Sequence, residues 1–129
     1  MNAWDGPNRR KFPRVNYPCL ITVRYGTSEP DVILTHTENI GTGGICVILN
    51  RNLRILSPVD LEIDLLDASN HVKSGGRIVW SIQRKSTEKK KPSFYDIGIE
   101  FTGMEDPDRR RLDDVVKRLV KQGHSSPYV

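Results

Sequence analysis

Between Tyr17 and Phe101 apolar and polar side chains alternate in short runs, the period of strands that bury one face. Cys19, Ile21, Val23 and Tyr25 alternate with Thr22 and Arg24 after Pro18. A turn signal, Gly26-Thr27-Ser28-Glu29-Pro30, separates this run from Val32-Ile33-Leu34-Thr35-His36-Thr37. Ile45-Cys46-Val47-Ile48-Leu49 is short and apolar on both faces. Val59, Leu61, Ile63 and Leu65 alternate with Asp60, Glu62 and Asp64, which directs the carboxylates toward water. Ile78-Val79-Trp80, a strand ending on its tryptophan, and the run Tyr95, Ile97, Ile99, Phe101 complete the set. Six short strands with turns at this spacing predict a closed or nearly closed antiparallel barrel, and closure removes exposed strand edges.

The period then changes. Asp106-Pro107-Asp108 signals a helix start, with Asp106 as the cap and Pro107 in the first helical position. Leu112, Val115, Val116, Leu119 and Val120 form one helical stripe that Gly123 stops, and Lys117, Arg118 and Lys121 suit its C-terminal dipole. The stripe is expected to cover part of the barrel; a dimer contact or partner-docking helix is the alternative. The expected organisation is a flexible arm over 1–15, a barrel over 16–103, a helix over 104–123 and a tail over 124–129.

Length and charge narrow the function. With 129 residues the chain fits one domain, and no apolar run nears the roughly 20 residues that span a bilayer. Met1 to Pro7 lacks the apolar stretch of a secretory signal, so a cytoplasmic location is expected, without membrane insertion. Cys19 and Cys46 lie in apolar strand-like runs and read as free buried thiols. His36, His71 and His124 have no Cys or His partner at metal-ligand spacing, so no metal is expected. The net charge of +4 is too small to indicate a nucleic-acid polymer as partner. It gathers at Arg9-Arg10-Lys11 with Arg14, at Lys89-Lys90-Lys91 and at Arg109-Arg110-Arg111, the last two reading as solvated loop and helix surface. No Ser or Cys nucleophile has a nearby His in a recognisable signature, and Gly41-Thr42-Gly43-Gly44 lacks the lysine of a P-loop, so no enzyme is expected.

Two segments could bind a small molecule. Arg10 and Arg14 flank Lys11-Phe12-Pro13, and their forks can converge on one ligand if that stretch curves across the mouth of a barrel. A guanidinium donates two hydrogen bonds to guanine O6 and N7 or to two phosphate oxygens, and its flat face stacks on a base. Asn39-Ile40-Gly41-Thr42-Gly43-Gly44 supplies an amide and a glycine turn whose backbone can approach a ligand. Trp80 offers a stacking surface for a purine near the rim. Together they suggest a site for a guanine-containing, phosphate-bearing molecule.

The order of these segments resembles the PilZ domain, the bacterial receptor module for cyclic di-GMP. Arg9 and Arg10, then Arg14, match the family's R-x-x-x-R signature with its preceding arginine. Asn39 and Gly44 match [D/N]-x-S-x-x-G, with Gly41 where the family usually has serine. The strands Gly76 to Trp80 and Asp96 to Phe101, and the closing helix, extend the resemblance from about Asn8 to about Lys121. It implies a mainly β, six-stranded PilZ-type barrel and cyclic di-GMP as ligand, with no other cofactor. It also implies binding through Arg9, Arg10, Arg14, Asn39, Gly41, Gly43, Gly44 and Trp80. The arm would order on binding and relay the signal to an unidentified protein in motility, pilus, biofilm or exopolysaccharide control. A monomer is expected, with a dimer as alternative. The rival reading is a PilZ-like adaptor that binds no nucleotide, which Gly41 favours.

Overall fold

The alternating segments form one curled antiparallel sheet whose inward positions make the core. The computed structural model describes residues 14–26, 28–66, 70–84 and 93–123. The strands are β1 (Arg14–Val15), β2 (Leu20–Tyr25), β3 (Asp31–Gly41), β4 (Gly44–Leu49), β5 (Pro58–Asp64), β6 (Val72–Gln83) and β7 (Tyr95–Thr102). A helix, α1 (Asp106–Lys121), follows. The order β3-β2-β5-β6-β7-β4 closes through a β3–β4 pairing, which gives the expected six-stranded barrel. β1 is an addition: it pairs with β3, Arg14 opposite Gly41 and Val15 opposite Ile40.

Ile21, Val23, Ile45, Val47, Leu61, Ile63, Ile78, Ile97 and Ile99 are buried in the barrel interior. Asp60 is exposed and Glu62 and Asp64 are half-buried on the outer side, as period two requires. α1 buries Leu112, Val115, Val116 and Leu119 and packs near β1 and β3, where Val15, Ile40 and Met104 also join the core. The arm expected over 1–15 thus ends in a strand whose Val15 is fully buried. The helix start differs by one residue: Glu105 is the cap, without a capping side-chain bond, which places Asp106 first and Pro107 second. The acidic first turn still complements the dipole, and the helix ends ahead of Gly123 at φ +83°.

Two offsets change which side chains face outward. The β3–β4 register shifts between Thr37 and Asn39, and the β6–β7 register between Ile78 and Trp80. Each is a β-bulge, one extra residue on one strand. Trp80 is therefore not the end of its strand. It lies inside the twelve-residue β6, and the extra Val79 turns it away from the interior that Ile78 fills.

Cys19 and Cys46 are free and buried. Burial is the main cause that pushes the Cys19 thiol up to about 12, offset in part by its hydrogen bond with Thr37. A thiol held above its unfolded value stabilises the fold at neutral pH. That contribution is complete below the unfolded pKa of about 8.5 and is lost as pH rises from there toward about 12. Cys19 is accordingly expected to resist iodoacetamide at pH 8 in the native protein and to react on unfolding, checked by mass spectrometry; rapid native labelling would contradict this burial.

Candidate ligand-binding face

Directly opposed residues of neighbouring antiparallel strands share one face, so the register defines rows on the barrel's outer wall. Asn39 opposes Cys46, Cys46 opposes Gly98, and Gly98 opposes Trp80. Asn39, Cys46, Gly98 and Trp80 therefore form one outward row across β3, β4, β7 and β6. Gly41 lies two residues along β3 from Asn39, on the same face, opposite Arg14. The arginine segment and the glycine turn meet at that corner: Arg14 Nη1 donates to Asn39 Oδ1 at 3.0 Å.

The register puts Asn39 on the outer face, yet it is only 4% exposed, with Arg14 bonded to its amide. Trp80 lies flat on Gly98, where an added Cβ would overlap indole atoms Cε2 and Nε1. A glycine opposite the tryptophan lets the ring lie down on the sheet, and Trp80 remains half-buried. The ring is on the wall, not at the rim.

The glycine turn has a packing role that the sequence did not announce. A Cβ on Gly44 would overlap the Ile99 carbonyl oxygen and approach Glu100 Cα to 3.2 Å, so Gly44 serves the close packing of β4 on β7. The turn is held on both sides: Phe101 N donates to Gly43 O at 2.9 Å, and Arg109 Nη1 donates to Thr42 O at 3.0 Å. Arg109 is thus a strut between α1 and the turn, not the solvated surface expected of it. Arg9 and Arg10, like the Lys89–Lys91 cluster, lie outside the described residues.

Ion pairs flank the Asn39–Trp80 row on both sides. On one, Arg77 Nε donates to Glu100 Oε1 at 2.6 Å. On the other, Arg84 Nε donates to Asp96 Oδ1 at 2.9 Å, while Arg84 Nη2 pairs with Glu38. Cys46 Sγ donates to Glu38 Oε2 at 3.4 Å. Burial and then the Glu38 carboxylate push the Cys46 thiol up, so it is a neutral donor here. Glu38, Cys46 and Asp96 have the donor types of a small cation site, but Arg84 already supplies the positive charge between the two carboxylates.

Sequence reasoning missed Glu38, Cys46, Arg84, Asp96 and Gly98. Gly98 had a legible signal, a glycine between two inward isoleucines of an alternating run. Glu38 and Arg84 had none, because their meeting depends on the β3 bulge and barrel closure. A groove of about 1050 Å³ lies on another wall, lined in part by Arg24, Asp60, Glu62, Lys73, Glu105 and Asp108. Its acidic balance suits an anionic ligand less well than the Arg14 corner.

The PilZ domain family model matches residues 8–118. No curated protein matches the chain. Among solved structures, the PilZ domain with c-di-GMP of YcgR from Escherichia coli is 13% identical, with a TM-score of 0.67 over 89% of this chain and 94% of that one. The Bacillus subtilis inhibitor of motility MotI/DgrA is 17% identical, with a TM-score of 0.64 over 89% of this chain and 51% of that one. The K. pneumonia MrkH–c-di-GMP complex is 17% identical, with a TM-score of 0.66 over 88% of this chain and 53% of that one. This chain spans about half the length of the last two. No helix among the described residues is long and apolar enough to cross a membrane. A closed six-stranded barrel with a C-terminal helix, an arginine beside the Asn39 turn and a family match over most of the length lead to one assignment: the chain belongs to the PilZ domain family.

Proposed function

We propose that this PilZ domain is a receptor for cyclic di-GMP. The observation that carries the reading is the Arg14–Asn39 bond, which joins two sequence-distant motifs at one corner of the outer wall. In this reading Arg14, with Arg9 and Arg10, grips guanine edges and phosphates through guanidinium forks. Asn39 and the backbone of Gly41, Gly43 and Gly44 hold a guanine, and Trp80 in the same row stacks on a base. Val15 adjoins Arg14 and shares the core with α1, so an arm engaged by ligand has a mechanical route to the helix. The output passes to a partner protein in motility, pilus, biofilm or exopolysaccharide control, from the cytoplasm and without catalysis.

Calorimetry and amide NMR with cyclic di-GMP test the reading. Heat of binding and shifts at Arg14, Asn39, Gly41 and Trp80 are expected; silence in both at tens of micromolar ligand would overturn it. Gly41→Ser supplies the hydroxyl that the family motif has and this chain lacks. A neutral hydrogen bond is worth about 0.5–1.5 kcal/mol, so this variant is expected to bind about three- to tenfold more tightly. Gly41 is also the observation behind a second reading, an adaptor that binds its partner without nucleotide.

A further inference from the structure

The outer wall proposed for the ligand is not uniformly basic. Glu38 adjoins Asn39 at the β3 bulge, and Asp96 stands two residues before Gly98 on the same face of β7. Two residues along a strand span about 7 Å, so both carboxylates lie within one row of the groups that would meet the dinucleotide. Opposite charge is needed nearby, because a doubly anionic ligand would otherwise meet two fixed anions at short range.

We infer that Arg84 is a positioning residue for the ligand face: it offsets one of the two negative charges of Glu38 and Asp96 and holds both carboxylates, and so keeps the Asn39–Trp80 row more receptive to an anion. The inference rests on the receptor reading and adds a residue that none of the motifs contains. Three observations support it. Arg84 bonds both carboxylates at once, to Asp96 at 2.9 Å and to Glu38. Glu38 is further fixed by Cys46, whose Sγ lies 3.4 Å away within the ligand row. Arg84 itself is anchored where β6 ends and β7 begins, its backbone N donating to Phe94 O at 2.8 Å. The Asp96 hydrogen bond is also the main cause that strengthens the arginine's hold on its proton. Arg84 need not touch the ligand; it sets the charge that the ligand meets.

The test is calorimetric titration of cyclic di-GMP into the full chain at low salt and at about 0.5 M salt, where the screening length falls to about 4 Å. Arg84→Ala is expected to weaken binding about three- to tenfold at low salt, and the loss should shrink at high salt. Adding Glu38→Gln and Asp96→Asn to that variant should restore affinity, which a purely structural role for Arg84 would not predict. In the Arg84-containing background the same carboxylate changes should tighten binding, since they release a cation beside the site. Unchanged affinity of Arg84→Ala, or a loss that neither salt nor neutralisation reverses, overturns the inference while leaving the receptor reading intact. No binding by the unaltered protein overturns the receptor reading and this inference with it. Native thermal melts of each variant separate lost affinity from lost fold.

Discussion

Arg14→Ala is expected to weaken cyclic di-GMP binding by about ten- to a hundredfold while leaving the melting temperature nearly unchanged. A charge-assisted hydrogen bond contributes about 1.5–3 kcal/mol, and each 1.4 kcal/mol is a factor of ten. Arg14 is suited to such contacts because β1 pairs with β3 and holds its guanidinium against Asn39 at 3.0 Å. Ordering the side chain therefore costs the ligand little. Arg14→Lys should fall between, since it keeps the charge and loses the planar fork. Calorimetry on the three proteins checks the ranking. Equal affinities would remove Arg14 from the site. An unaffected partner interaction in Arg14→Ala would favour the nucleotide-independent adaptor.

The second large effect falls on stability. Gly44→Ala is expected to destabilise the fold by about 2–3 kcal/mol, lowering the melting temperature by roughly 10 °C. The added methyl would meet the Ile99 carbonyl, a backbone atom that cannot rotate aside, so β4 must lift from β7 at its first pair, Gly44 opposite Glu100. Gly103→Ala is the informative control. There φ is +76° but no atom lies within 4 Å of the added Cβ, so only the backbone strain, about 1 kcal/mol, should register. Chemical denaturation separates the two, and a Gly44→Ala protein as stable as its parent would refute the packing argument. The experiment also bears on the motif, because a loss of binding in Gly44→Ala would report a displaced strand as much as a missing ligand contact.

The barrel was legible because its alternation is long and regular. Ile21 and Val23, or Ile97 and Ile99, read as inward before any coordinate, and they are buried. The helix was legible from its stripe, with its cap misplaced by one residue because Asp106 and Glu105 compete for the same acidic signal. β1 was not legible: two residues carry no period, and Val15 becomes core only because Ile40 pairs with it and α1 lies near. At the candidate site, Arg14, Asn39 and Trp80 could be nominated by chemistry, since fork, amide and indole are scarce functional shapes. Their shared wall could not be nominated, because it depends on two register offsets. Arg84, Glu38 and Asp96 meet across 46 and 12 positions of sequence separation, and nothing local announces them.

The extra Val79 in β6 divides that strand into two jobs. Before it, Val72, Ser74, Gly76 and Ile78 point inward and are buried; after it, even-numbered positions point outward, as Trp80 and Ile82 do. Inward substitutions upstream of the offset thus act on how firmly the molecule holds together, whereas outward ones downstream alter the wall that carries Trp80. The outward-facing half can therefore change its surface chemistry without reopening the packed one.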